Sequence, residues 1–275
     1  MTDLLELDAY LSRIGYRGPV APTLDTLHGL MSAHVQAVPF ENLDILLGRG
    51  VDLSPASLQR KLVTARRGGY CFEQNGLLLL VLQQIGFDVR PLSARVRYQR
   101  PRDYTPARTH LLLKVTIDNE PWMADVGVGG LSLSSPIRFD RVGEQPTAHE
   151  PRRLVHEDGR VFLQVRFGDE WHDVLEFTGE EMPAIDRELA NWYTSAHPQS
   201  HFRNRLIAAR ALADGGRLTL VNRELSTRLR DGSVSSVIIE SPGELLQVLE
   251  REFGLDLPSD TVFRCEGLDW PAADA

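Results

Sequence analysis

The sequence predicts an α+β protein, and three observations carry that assignment. Apolar residues recur at spacings of three and four through the first third of the chain. From roughly Val89 to Phe177 the period changes to short runs rich in β-branched and aromatic residues, separated by Gly, Pro and Asp. The last third mixes the two patterns. A chain of 275 residues exceeds what one small core needs. We therefore expect three units: a helical bundle over 1–86, an antiparallel barrel or sheet over 87–178 and an α/β lid over 179–275.

Leu4, Leu7, Leu11 and Ile14 form one helical stripe before Gly15, and Leu24, Leu27, Leu30, Met31, Val35 and Val38 form a second between Thr23 and Pro39. Ser54-Pro55 is a start signal, a capping hydroxyl followed by proline at the first helical position. From Phe72 to Ile85 the chain reads FEQNGLLLLVLQQI, apolar nearly all round, which predicts a buried helix stopped by Gly86. His28 and His34, six apart on the second helix, do not face one metal ion and read as ordinary helix histidines.

In the middle third, Arg95–Tyr98, Thr109–Ile117, Trp122–Val126, Arg160–Phe167 and Trp171–Phe177 read as strands. The turn Asp118-Asn119-Glu120-Pro121 makes the second and third of these a hairpin. Further on, Glu180–Tyr193 and His201–Leu212 read as helices, and Arg217–Val221, Leu225–Leu229 and Val234–Glu240 as strands. Ser241-Pro242-Gly243-Glu244 is a capping box that opens a last helix ended by Gly254. The connections around 100–108 and 141–152 are expected to be mobile.

A net charge of −8 with scattered basic residues argues against a nucleic-acid partner. Two cysteines without a Cys-x-x-Cys pairing make no disulfide framework and suit a reducing cytoplasm. The longest apolar run, Leu77–Leu82, is too short to span a membrane, and no leader pattern opens the chain. P-loop, nucleophile-elbow and zincin motifs are absent, and no metal site is expected. The cluster Gly127-Val128-Gly129-Gly130 resembles a dinucleotide fingerprint only faintly, because no helical pattern follows it.

The stretch Arg67-Gly68-Gly69-Tyr70-Cys71 sets a cysteine on the first turn of the buried helix. There the unpaired backbone N–H groups and the helix dipole favour a thiolate. Cys71 reads either as a nucleophile or as a buried structural cysteine; Cys265, without acidic or histidine partners nearby in sequence, reads as structural. A nucleophilic thiol needs an imidazole to take its proton and a carboxylate to fix the imidazole. In the hairpin, a loop of two or four residues sets Asp125 opposite Leu112 or Lys114, on the face of His110 and within diagonal reach of it. A loop of odd length would put the two on opposite faces.

These residues resemble a known family. Arg67-Gly68-Gly69-Tyr70-Cys71-Phe72-Glu73-Gln74-Asn75, Pro39-Phe40-Glu41-Asn42-Leu43, Thr109-His110 and Asp125-Val126-Gly127 together are similar to the motifs of the arylamine N-acetyltransferases. The likeness continues through Ser195–Phe202 and Gly215–Leu220. It implies a cysteine-protease-like fold and a Cys71-His110-Asp125 triad. It also implies ping-pong transfer of acetyl from acetyl-CoA to an arylamine or arylhydrazine, with no metal. Phe40, Val96, Thr109, Val128, Gly129 and Phe202 match positions that line the family's acceptor pocket. Many members carry an aromatic residue where this chain has Val128, so the pocket is expected to be wider on that side. The resemblance also implies that Arg67 and Glu41 pair. A homodimer is compatible with it. The alternative is a thiol hydrolase or transglutaminase-like enzyme on the same triad. Papain-type spacing would put the histidine about 130–150 residues after the cysteine, against 39 here (110 − 71).

Overall fold

The computed structural model describes residues 5–270; Leu4, predicted for the first helical stripe, lies outside them. Helix α1 (Leu7–Ile14) is ended by Gly15 in the left-handed conformation, and α2 (Leu24–Ala37) is capped by the Thr23 hydroxyl, which accepts from the Thr26 N–H. A two-residue strand, β1 (Phe40–Glu41), and a single turn, α3 (Leu43–Leu46), follow. The Ser54-Pro55 signal starts α4 (Pro55–Leu58), which widens at once into a π-helical turn over Gln59–Thr64. Helix α5 (Cys71–Ile85) is buried through most of its length and stops at Gly86, φ 98°.

Seven antiparallel strands form the central sheet: β2 (Asp88–Val96), β3 (His110–Ile117), β4 (Glu120–Ala124), β5 (Ile137–Arg138), β6 (Arg152–Glu157), β7 (Arg160–Phe167) and β8 (Glu170–Phe177), ordered β5-β4-β3-β2-β8-β7-β6. Helices α6 (Ala184–Ala196) and α7 (His201–Asn204) lead to β9 (Ile207–Ala211), β10 (Arg217–Val221), β11 (Glu224–Arg228) and β12 (Val234–Ile238). These four extend β1 into a second sheet, β1-β9-β10-β11-β12, against which α8 (Pro242–Phe253) packs. One hydrophobic core runs from α1, α2 and α5 into the central sheet, and a second lies between α8 and β9–β10. None of the helices among the described residues is long and apolar enough to cross a membrane.

The structure corrects several of the sequence expectations. His201–Leu212 is helical only to Asn204; its second half is β9, which forms ladders with β1 on one side and β10 on the other. Those ladders override the helix propensity of an alanine-rich run. The strand predicted from Arg95 begins at Asp88, with Pro91 inside it, and β6, for which the sequence predicts no strand, begins at Arg152, the last residue of a connection expected to be mobile. Ser241 caps α8 at Glu244 N, but the Glu244 carboxylate accepts from the N–H of Glu240 rather than from that of Ser241, so the capping box is not reciprocal.

A further correction is His34, which is no ordinary helix histidine. It has no exposed surface and joins Tyr10 to the α5 helix. The Gln74 amide nitrogen donates to the carbonyls of Pro39 and Gly69 (2.8 and 3.1 Å), so its oxygen faces the ring and accepts from His34 Nε2 at 2.5 Å. His34 Nδ1 then accepts from the Tyr10 hydroxyl at 2.9 Å. Burial lowers the His34 pKa to about 4.

Beside this chain lies a network of buried charge. Arg67 donates to Glu41 (2.8 Å) and Asp44 (3.2 Å), and Lys61 reaches Asp44 (2.8 Å) and Glu73 (2.7 Å). Glu41, fully buried, also accepts from the N–H of Leu43. Between the charges the backbones nearly touch: a Cβ at Gly68 would stand 2.1 Å from the Pro39 carbonyl oxygen, so only glycine fits.

Two outcomes are expected. A histidine held neutral with its pKa depressed contributes stability above its unfolded value of about 6.5, and loses it as the pH falls through about 4. The loss should be on the order of 3 kcal/mol, and His34→Gln should flatten the melting curve against pH in that window; parallel curves for the two proteins would rule the idea out. Removing one partner of the buried Arg67–Glu41 pair should cost about 3–5 kcal/mol. Arg67→Met should therefore lower Tm sharply and Glu41→Gln in the same chain should recover part of it, whereas additive losses in the cycle would show no coupling.

Candidate active site

Cys71 opens α5 with 4% of its surface exposed. The Tyr70 N–H before it donates to the Glu73 carboxylate, satisfying one of the unpaired donors at the helix start. The thiol lies 3.7 Å from the Thr109 carbonyl oxygen, which can accept its proton as a weak hydrogen bond.

The hairpin turns on Asp118 and Asn119, both at positive φ (51° and 62°), a two-residue loop of the primed type. Its pairs sum to an odd number, Lys114 with Met123 and Leu113 with Ala124. Continued one step, the register sets Asp125 opposite Leu112 and on the face of His110. The two meet: His110 Nε2 donates to Asp125 Oδ2 at 2.6 Å, both side chains buried. Burial pulls the His110 pKa down, but the Asp125 carboxylate, its hydrogen bond and the neighbouring Cys71 outweigh it and raise the pKa to about 10. At neutral pH the ring therefore carries two protons, one on Nε2 toward Asp125 and one on Nδ1.

A residue quoted in the motif but given no role from sequence completes this arrangement. Asn75, one turn along α5 from Cys71 and fully buried, donates to Asp125 Oδ1 (2.8 Å) and to the Leu111 carbonyl (2.6 Å). Its own oxygen accepts from the N–H of Val126 (2.9 Å). All its hydrogen-bonding groups are thus spent on tying the cysteine helix to the strands that carry the histidine and the aspartate. Asp125 Oδ1 accepts further from the N–H of Gly127 (3.0 Å). A Cβ at Gly127 would stand 2.8 Å from Cys71 Cα and 2.7 Å from the Asn75 amide nitrogen, so glycine lets strand end and helix approach. The i, i+4 spacing of Cys71 and Asn75, which stacks them on one helix face, was the available signal.

The residues matched to the acceptor pocket fall into two groups. The Phe40 ring lies 3.6 Å from where a Cβ at Gly129 would be, and Phe202 lies against Phe40 (6.1 Å between centroids) and edge-on to Tyr70 (5.6 Å). Thr109 contributes its carbonyl beside the sulfur, and Val128 is half-buried against the main core. Val96 stands apart at the end of β2; it lies two residues past Ala94, the partner of His110, hence on the same face of the sheet, and it is exposed. Among the described residues no three His, Cys, Asp or Glu side chains gather to hold a metal ion. Cys265 lies far from these groups in the second core, beside Asn222.

Two of the three donors to the Asp125 carboxylate fall on Oδ1, and Asn75 is one of them. Asn75→Ala should lower the rate of acylation at Cys71 about tenfold to a hundredfold, the worth of one hydrogen bond to a charged group. Burst kinetics with an activated ester measure it, and an unchanged burst in a folded variant would remove Asn75 from the arrangement.

The profile of the N-acetyltransferase family matches residues 23–262. The arylamine N-acetyltransferase of Mycolicibacterium smegmatis is 42% identical over 257 residues, covering 92% of this chain and 93% of its own. The solved arylamine N-acetyltransferase of Salmonella typhimurium superposes with a TM-score of 0.88 at 39% identity, over 96% of both chains. That of Mycobacterium marinum in complex with CoA gives a TM-score of 0.87 at 42% identity, over 90% of this chain and 92% of its own.

Proposed function

The chain belongs to the arylamine N-acetyltransferase family, and from that premise we propose that Cys71, His110 and Asp125 carry acetyl from acetyl-CoA to the nitrogen of an arylamine or arylhydrazine. The observation that supports the three roles best is the 2.6 Å His110–Asp125 bond directly behind a thiol at a helix start.

The reaction runs in two halves. With the thiol proton already held on His110 Nδ1, Cys71 Sγ attacks the carbonyl carbon of the acetyl thioester. The tetrahedral intermediate collapses by breaking the bond to the CoA sulfur, which leaves with the proton from His110. The amine then attacks the acetyl-cysteine, His110 takes the amine proton, and Cys71 departs as the second leaving group. Asp125 takes up no proton in either half; it fixes the ring with Nε2 inward and stabilises the imidazolium. That this ring is already raised to about 10 fits a site that rests with the proton on His110.

Phe40, Phe202, Val96, Thr109, Val128 and Gly129 form the acceptor wall in this reading. An apolar slot favours arylamines, which are largely uncharged at neutral pH and so arrive nucleophilic, and it keeps bulk water from the thioester. The segments divide the work: 1–86 brings the nucleophile, 87–178 the base and its orienting acid, and 179–275 the cover that carries Phe202. The acidic net charge goes with small-molecule rather than nucleic-acid partners. A cytoplasmic enzyme, monomeric or homodimeric, completes the reading.

Acetyl-CoA alone should be hydrolysed slowly, and an arylhydrazine should speed CoA release at least about tenfold, or roughly 1.4 kcal/mol of barrier. Equal rates with and without the acceptor would favour the thiol hydrolase instead.

A further inference from the structure

Beyond Asp125 the chain folds a compact loop over residues 125–133. Its ends meet where the N–H of Leu133 donates to the Asp125 carbonyl (2.8 Å), and its middle is a single 3₁₀ turn over Gly129–Leu131. The N–H groups of Leu131 and Ser132 donate back to the carbonyls of Val128 and Gly129 (3.3 and 3.2 Å), and the Ser132 hydroxyl adds a second bond to the Gly129 carbonyl (3.0 Å). Gly129 faces the Phe40 ring, while a Cβ at Gly130 would stand 2.7 Å from the Thr219 hydroxyl oxygen on β10. The loop thus presents Val128 and Gly129 in front and rests on the second sheet behind.

The carbonyls of Leu131 and Ser132, at the far end of this loop, are taken up by arginines distant in the chain. Arg152 on β6 donates through Nη2 to Leu131 (3.1 Å), and Arg217 on β10 donates through Nη2 to Ser132 (3.0 Å). One carboxylate holds both guanidinia. Glu150 accepts from Arg217 Nε and Nη2 (both 2.8 Å), a bidentate fork, and from Arg152 Nη2 at 3.1 Å. Glu150 is itself fixed: its carbonyl accepts from the Thr147 hydroxyl (2.9 Å), and its neighbour His149 joins the Ser134 hydroxyl (2.8 Å) to the Leu212 carbonyl (3.2 Å). The carboxylate therefore stands where the central sheet, the second sheet and the loop meet.

This cluster is a poor way to fill a core. It sets two buried cations against one carboxylate, and Nε and Nη1 of Arg152 are buried with no hydrogen-bond partner among the described residues. Apolar side chains of similar volume would serve stability as well or better. They would not hold two successive carbonyls of the loop at a fixed distance from both sheets.

We propose that Glu150, acting through Arg152 and Arg217, is a positioning residue for the acceptor wall: it fixes the loop that sets Val128 and Gly129 opposite Phe40, and so the width of the slot. The inference rests on the reading of Val128 and Gly129 as part of that wall. The root of the loop has its own supports, because Asp125 is held by His110, Asn75 and the N–H of Gly127. Loosening the far end therefore alters the wall and leaves the three reactive groups in register.

The test reads wall and nucleophile separately. Glu150→Gln leaves two buried cations uncompensated, so Arg217→Lys is made beside it; lysine keeps the charge and loses the fork that reaches Glu150 and the Ser132 carbonyl together. In each variant that keeps the wild-type circular dichroism, KM for an arylamine should rise about tenfold while kcat stays within about twofold. The rate at which iodoacetamide alkylates Cys71, and its pH profile, should match the wild type, since a small alkylating agent reports the thiolate and not the wall. An alkylation rate that falls in parallel with the rise in KM would reduce the cluster to a support of the whole fold, and an unchanged KM in folded Arg217→Lys would detach it from the wall; either result overturns the inference while wild-type acetylation of the arylamine stands. If the wild-type protein acetylates no arylamine, the acceptor reading falls and the inference falls with it.

Discussion

Asp125 has no exposed surface, and a carboxylate in that position must be fully paired or the fold loses several kcal/mol. Its partners come from three separate places: His110 at the start of β3, Asn75 on α5, and the backbone of Gly127 past the end of β4. Satisfying this one group therefore fixes the helix that carries Cys71 against the hairpin that carries the imidazole. The requirement that stabilises the interior is the same one that sets Cys71, His110 and Asp125 side by side. Gly127 is part of the bargain, because any side chain there would push the helix start away from the strand end.

The motif loops in front of the cysteine are held with equal care, from the opposite side. Arg67 and Lys61 each bridge two carboxylates, while the Gln74 amide collects the carbonyls of Pro39 and Gly69 and leans on a neutral His34. A polar network inside a protein is stabilising only when its members are satisfied, and here nearly every donor and acceptor has a partner. The consequence for chemistry is that the turn Gly68-Gly69 cannot drift, and the first turn of α5 starts from a fixed point.

The lid joins this frame through Asn42, whose side chain is saturated by the backbone of residues 202–207. Phe202 is thereby carried to Phe40 and Tyr70, beside the start of the cysteine helix.

Much of this was legible in the sequence because it depends on short-range geometry. Helix periodicity and capping fix α1, α2, α5 and α8 locally, and the loop Asp118-Asn119 sets the parity that places Asp125 on the face of His110. The motif spacing carried the family. What the sequence could not decide depends on partners distant in the chain. Residues 207–211 have the composition of a helix and became a strand because β1 and β10 offered ladders on both sides. His34 looked like any helix histidine until Tyr10 and Gln74 closed on it from 24 and 40 residues away. Asn75 stood in plain view within the motif, but its role exists only where α5, β3 and the end of β4 converge on one buried carboxylate. Local rules choose each element; the cost of leaving buried polar groups unpaired decides how the elements meet, and that cost is known only once they have.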